Sequence, residues 1–373
     1  MSPTDQQSRN LEDTFKSLFV RLLEFFFKPA HIPTIVKDSV QSVLVIRQHD
    51  QLGDMLCVVP LLAGLRNEFP KAHITLIASP VNYDIMRNNP YLSEIVNYDK
   101  EKLLNSLDEI SSLLRTLRGK KYDIAIVPVT VSVSVTSDLL ALLSGAKIRI
   151  GASSLLGKPN PTGFCFTNGV NLDWSNDPHR HQTLRNLDSA VDLHLGETKL
   201  VSVIGLTKQE KLLAKEFVQP YRDKYPVLIG FHPGAGKLEN QWDAKRFASI
   251  ANRIARDFNA CIVITAGPMD EIPVNEMIKY LQCEYMLILN KPIREVAAII
   301  HELDYFVSND TGVMHVAGGV ETPLLSLFGP TDPLQWSPQG ERNMFLASDD
   351  RNINSINEDM VYKAICAMIA KKN

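Results

Sequence analysis

The residues Val307-Ser308-Asn309-Asp310-Thr311-Gly312-Val313-Met314-His315 carry an apolar run, expected as a strand over 304–307, straight into an Asp-Thr-Gly turn and a small-residue helix. The first N–H groups of such a helix have no partner within it, and its dipole adds partial positive charge there. The turn therefore suits an anion, above all a phosphate. Gly312 lets a phosphate approach the backbone, and Thr311 offers a hydroxyl. His315 lies one turn on, on the same side as Thr311 and Gly312.

Other apolar runs end in equally polar residues. Arg47-Gln48-His49-Asp50-Gln51-Leu52-Gly53-Asp54 leads into a helix. Gly53 permits the turn, and Asp54 reads in two ways. It is a cap for free helix N–H groups, a carboxylate placed to take a proton from a bound hydroxyl, or both at once. Arg47 and His49 add positive charge and hydrogen bonding beside it. Gly230-Phe231-His232-Pro233-Gly234-Ala235-Gly236-Lys237 is a glycine-rich loop that can present several N–H groups to phosphate oxygens. Lys237 either neutralises a phosphate or is a solvated surface lysine. Asn240-Gln241-Trp242 follows. After the next run Asp270 suits ribose hydroxyls, or is ordinary acidity at a helix N-terminus. Phe328-Gly329-Pro330-Thr331-Asp332-Pro333 is a turn that could line the same pocket. There is no D-x-D sequence to hold a metal against a diphosphate. No metal or other cofactor is expected, and N–H groups, helix dipole and cations would have to stabilise a leaving diphosphate.

The elements that must position these residues alternate. Strands are expected at 43–47, 73–78, 95–98, 123–128 and 146–150, with helices at about 54–68, 81–88, 101–118, 134–144 and 181–195. A second series has strands at 226–231, 260–265, 284–289, 304–307 and 324–328, with helices at about 244–257, 270–281, 293–301, 312–318 and 357–371. This is the βαβα pattern of doubly wound parallel sheets, whose ligands bind outside the carboxyl ends of the strands. The fold class is therefore α/β, with two Rossmann-like domains facing a central cleft. The divisions are an N-terminal extension at 1–42, an acceptor-side domain at 43–196, a linker at 197–225 with a helix near 207–218, and a nucleotide-side domain at 226–373, whose last helix is free to pack back on the first domain. Residues 151–180, rich in Pro, Gly and Asn, are expected as a long functional loop.

With 373 residues, 45% hydrophobic and 22% charged, the chain is a soluble globular protein of about two domains. The net charge of −3 has no basic patch, which argues against a nucleic-acid partner. Five scattered cysteines (Cys57, Cys165, Cys261, Cys283, Cys366) form no C-x-x-C pair, as expected in a reducing cytoplasm. No signal peptide and no span of about 18 apolar residues is evident. In the extension, Leu11, Phe15, Leu18, Phe19, Leu22 and Phe26 follow helical spacing up to Pro29. That amphipathic helix over 11–28 would pack on its own domain or another subunit, or else lie on a membrane surface.

Arg47 through Pro60, His232-Pro233-Gly234-Ala235-Gly236, Trp242, Asp310-Thr311-Gly312-x-x-His315 and the turn at 328–333 resemble glycosyltransferase family 9, the ADP-heptose:lipopolysaccharide heptosyltransferases. The resemblance covers roughly 43–340. It implies a GT-B fold and inverting, metal-independent transfer of a heptose-like sugar, from ADP-heptose, to a lipopolysaccharide-core or related lipid-linked saccharide. On this resemblance Asp54 is the base, and Arg47, His49 and Gly53 lie on the acceptor side. Gly234, Ala235, Gly236, Lys237, Asn240, Asp270, Asp310, Thr311, Gly312 and His315 lie on the donor side. Relatives often carry a lysine two residues before the tryptophan where this chain has Asn240, and threonines where it has Gly234 and Ala235. The missing lysine motivates an alternative, a sugar-nucleotide-binding protein without transfer. An oxidoreductase is disfavoured because Gln48–Gly53 contains no G-x-G-x-x-G turn. The expected location is cytoplasmic, with a peripheral association with the inner membrane through 11–28.

Overall fold

The computed structural model describes residues 24, 25, 27, 29 and 33–372. The helix expected over 11–28 lies almost wholly outside the described residues. From residue 42 onward the expected alternation is observed as two sheets.

The first sheet contains β1 (Ser42–Arg47), β2 (His73–Ala78), β3 (Glu94–Asn97), β4 (Ile124–Ile126), β5 (Ile148–Leu155), β6 (Lys158–Pro159) and β7 (Asn168–Leu172). The second contains β8 (Val227–His232), β9 (Ala260–Ala266), β10 (Tyr285–Leu289), β11 (Tyr305–Asn309), β12 (Leu324–Phe328) and β13 (Asn343–Ala347). Their orders are β3-β2-β1-β4-β5-β6, with β7 also paired to β5, and β10-β9-β8-β11-β12-β13. The central strands β9 and β12 are buried at every residue, which is why they read as unbroken apolar runs. In both sheets the winding reverses beside the first strand, between β1 and β4 and between β8 and β11. Those are the topological switch points where such sheets bind ligands.

The segment 151–180 is not the irregular loop expected from its composition. β5 runs on to Leu155 through a bulge between Ala152 and Ser154, and β7 pairs parallel with it. Asn, Gly and Pro depress strand propensity there, while the pairing is supplied by a neighbouring strand that local sequence does not show. The helix expected over 54–68 is two helices, Leu52–Leu56 and Val59–Glu68, the second opening on Pro60, whose missing N–H suits a first turn. The helix expected over 101–118 likewise breaks at Ser106, whose side chain accepts the Glu109 N–H as a cap. The closing helix, Glu358–Lys372, packs on the second half. Val361, Ile365 and Met368 share a core with Phe247, Ile250 and Ile254 of the helix Ala244–Phe258.

The halves are held together by the start of the linker. Ser202 Oγ donates to the Leu56 carbonyl at 2.6 Å, and the Ile204 N–H to that of Gly319 at 2.8 Å. Arg294, buried on the helix Ile293–His301, uses every guanidinium N–H. It donates to Asp84 O (3.1 Å) and Arg87 O (2.9 Å) of the first half, to Gly205 O (2.8 Å), and to both carboxylate oxygens of Glu210 (2.6 and 2.7 Å). A buried cation with all donors satisfied ties three segments at one point.

Candidate active site

Each half brings its switch point to the contact between them. Arg47 ends β1, and its side chain turns back under the helix Leu52–Leu56. Its Nη2 donates to Asp54 Oδ1 at 2.6 Å, and its Nη1 to the Pro128 carbonyl beyond β4 at 3.1 Å. Asp54 is not the cap. Gln51 occupies that position without a side-chain bond, and Asp54 sits in the first turn, 17% exposed against 6% for its arginine partner. One oxygen is thus held by Arg47, and the other, Oδ2, makes no hydrogen bond among the described residues. His49 is fixed through its backbone, whose carbonyl accepts from Asn82 Nδ2 at 2.6 Å. Burial and the neighbouring Arg47 push its imidazole below the ordinary histidine range.

From the second half, Thr311 precedes the helix Gly312–Gly319 with extended backbone and no side-chain cap bond; the Met314 N–H bonds the Thr311 carbonyl at 3.1 Å, and the Gly312 and Val313 N–H groups stay available. His315 is buried and pressed on the first half. A Cβ on Gly53 would lie 2.7 Å from its Cδ2 and 2.9 Å from its Nε2. The contact is reciprocal, since a Cβ on Gly312 would lie 3.2 Å from the Leu52 Cβ. These two glycines let the helices Leu52–Leu56 and Gly312–Gly319 pack closely, so the segment that carries Asp54 lies against the helix that follows the Asp-Thr-Gly turn. Burial, and second the nearby His181, push the His315 imidazole down to about 3. It is neutral and brings no positive charge to the site.

The glycine loop after β8 is shaped by a residue that sequence reasoning missed. Asn309, fully buried, accepts the Trp242 N–H at 3.1 Å and donates to the carbonyls of Pro233 (2.9 Å) and Gly234 (3.1 Å). Trp242 is itself a core anchor, its indole N–H bonded to the Ile356 carbonyl at 2.9 Å. Asn240 donates to Asp310 Oδ2 at 3.1 Å, while its own Oδ1 is buried without a partner. Burial pushes the Asp310 carboxyl upward, opposed by the Thr331 hydroxyl and the charge of Lys237. Lys237 and Gly236 are exposed at the outer edge of the loop, and Ala235 is half-buried. Asp270 stands at the start of the helix Glu271–Tyr280 yet does not cap it. Its carboxylate turns back, accepting the Gly267 N–H at 2.7 Å and lying against Gly234.

His181 was also missed as a contact between halves. Its Nδ1 accepts the Thr183 N–H at 3.1 Å, so Nε2 carries the proton and donates to the Ser337 carbonyl at 2.9 Å. A histidine at a helix start was a visible signal, but its partner lies 156 residues away.

Two Rossmann-like sheets with opposed switch points form a GT-B fold, the architecture of glycosyltransferases that use sugar nucleotides. Within it, the chain belongs to glycosyltransferase family 9 (heptosyltransferase), whose model matches residues 110–365. It is 26% identical over 318 residues to lipopolysaccharide heptosyltransferase 3 of Escherichia coli, covering 81% of this chain and 88% of that protein. It is 21% identical over 305 residues to the lipopolysaccharide core heptosyltransferase OpsX of Haemophilus influenzae, covering 81% and 82%. The fold is also that of a family 9 glycosyl transferase from Veillonella parvula (TM-score 0.78, 24% identity, 89% of this chain and 97% of that one). The E. coli heptosyltransferase WaaC, solved with ADP, matches with TM-score 0.70 and 16% identity over 88% of this chain and all of that one. The protein is a glycosyltransferase.

Proposed function

We propose that the protein transfers a heptose-like sugar from ADP-heptose to a saccharide of the lipopolysaccharide core, by inversion and without a metal. One observation carries this reading. The Gly53–His315 contact packs the helix that carries the mostly buried Asp54 carboxylate against the helix Gly312–Gly319, whose start has no side-chain cap. Asp54, oriented by Arg47, takes the proton of the acceptor hydroxyl, whose oxygen attacks the anomeric carbon opposite the diphosphate. The first N–H groups of the helix Gly312–Gly319 and the glycine loop 234–236 receive the charge that develops on the leaving diphosphate. Asp270 binds the ribose, and neutral His315 offers hydrogen bonding rather than charge. The heptosyltransferase relatives and the ADP bound in WaaC support the donor and acceptor classes.

The test is mass-spectrometric detection of the adduct when the full chain meets ADP-heptose and a heptose-deficient core glycolipid. Tight nucleotide binding with no transfer to any core acceptor would favour the binding-protein alternative. On this reading the protein works at the cytoplasmic side of the inner membrane. No helix among the described residues is long and apolar enough to cross a membrane. Surface attachment through 11–28 predicts that deleting residues 1–38 abolishes sedimentation with anionic liposomes. A full-length protein that never sediments refutes it.

A further inference from the structure

β11 ends on Asn309, whose side chain is fully buried. Its amide has only one workable orientation. The Trp242 N–H can only donate, so the atom that meets it at 3.1 Å is the oxygen. The carbonyls of Pro233 and Gly234 can only accept, so both face Nδ2, at 2.9 and 3.1 Å. Nδ2 carries two hydrogens, one for each carbonyl. The amide therefore keeps no hydrogen for a ligand of its own.

Those two bonds fix two successive peptide planes. A trans peptide holds its N–H antiparallel to its C=O, and no peptide bond among the described residues is cis. With the Pro233 carbonyl on Asn309, the Gly234 N–H points to the side of the loop away from Asn309. The Gly234 carbonyl does the same for the Ala235 N–H. Neither N–H has a hydrogen-bond partner among the described residues, although Gly234 is buried. Asp270 lies against Gly234 but accepts from the Gly267 N–H instead. A buried N–H left unpaired costs free energy until something accepts from it. Successive free N–H groups on one face of a turn suit an anion. The loop 233–236 has no hydroxyl side chain, and Lys237 is exposed at its edge, so recognition there falls to the backbone.

We propose that Asn309 is a positioning residue for the donor: by holding the Pro233 and Gly234 carbonyls it turns the Gly234 and Ala235 N–H groups toward the diphosphate. The inference rests on the reading of the glycine loop as a diphosphate site. Asn309 acts through the two peptides and touches no substrate. It also ends the strand that runs into Asp310-Thr311-Gly312, so one side chain ties this loop to the helix start that offers the Gly312 and Val313 N–H groups. The expected signature is a weaker hold on phosphate, with the hold on the nucleoside unchanged.

The experiment measures, by isothermal titration on the full chain, the affinity ratio of ADP to adenosine, since only ADP offers phosphate to the loop. N309L keeps much of the side chain's bulk, adds no charge and has no donor for the carbonyls. It should lower the ratio about tenfold or more, as loss of a hydrogen bond to a charged group implies. A general packing fault would weaken both ligands alike, and an unchanged ratio overturns the inference. The loop reading has its own test in wild-type protein labelled with 15N-glycine and 15N-alanine. The Gly234 and Ala235 amide protons should move downfield with ADP and not with adenosine. If they stay in place, the loop reading fails and the inference with it. If they move while N309L keeps the ratio, the inference fails and the loop reading stands. Should N309L not fold, hydrogen exchange of the Asn309 amide in the wild type decides. Both Nδ2 hydrogens should stay protected in the ADP complex. Rapid exchange there would mean that the carbonyls are released when ADP binds, which overturns the inference.

Discussion

Replacing Asp54 separates its proposed chemistry from its packing. Its partner Arg47 is 6% exposed at the side chain and has no other carboxylate within ion-pair distance among the described residues. In Asp54→Asn the amide oxygen can still accept from Nη2, but the charge is gone. Losing the charge-assisted part of a hydrogen bond implies a destabilisation of about 1–3 kcal/mol. Asp54→Ala strands a buried guanidinium and should cost more, about 3–5 kcal/mol. Both variants remove the base, which lowers turnover by ~10²–10⁴. Nucleotide affinity should change little, because the proposed diphosphate contacts lie on the other half. Three measurements decide the matter: transfer rate by mass spectrometry, ADP affinity by titration calorimetry, and stability by urea unfolding. Asp54→Asn with turnover within tenfold of wild type refutes the base assignment. Equal unfolding midpoints for the two variants refute the buried-pair argument.

Three further outcomes are expected. In Gly53→Ala the methyl would stand 2.7 Å from His315 Cδ2 in a buried contact, so overpacking of about 1–3 kcal/mol should lower the melting temperature and cut turnover more than nucleotide affinity. Unchanged melting and turnover would show that the two helices need not meet this closely. Asn240→Lys places a cation by Asp310 and should tighten diphosphate binding about fivefold or more at low salt, with the gain fading as salt rises. No gain would mean this position does not face the diphosphate. Glu210 is held down to about 2, first by its hydrogen bonds from Arg294, so its native value is depressed below the ordinary 4.5. Its stabilising contribution is therefore full above about pH 4.5 and is lost as pH falls toward about 2. Unfolding free energy should fall faster over that window in wild type than in Glu210→Gln, and parallel profiles would contradict the Arg294 pairing.

Much of this fold was legible along the chain because parallel strands buried on both faces are continuous apolar runs, and their ends are marked by abrupt polarity. β2 and β12 match their expected bounds residue for residue; Asp310 directly follows β11, Asp270 precedes the helix after β9, and Asp54 falls in the first turn of the helix after β1. What failed was whatever depended on a distant partner. β7 reads as a loop because Asn168 and Gly169 are poor strand formers, and only β5 beside it makes it a strand. Asn309 stood in the strand-end stretch with no role assigned, because the Pro233 and Gly234 carbonyls it holds lie more than seventy residues away.

By itself the sequence determined which residues could do chemistry and at which strand ends they fall, because periodicity and turn residues are local properties. It could not decide whether Asp54 is a cap or a paired carboxylate, since that depends on Arg47 turning back beneath its helix. Nor could it show that Gly53 and Gly312 exist for one another's helices. The tertiary structure decided both, because only packing of the two halves brings residues more than 250 positions apart to within van der Waals distance. It also made His315 neutral, since the interface that buries the ring removes the water that would stabilise its charge.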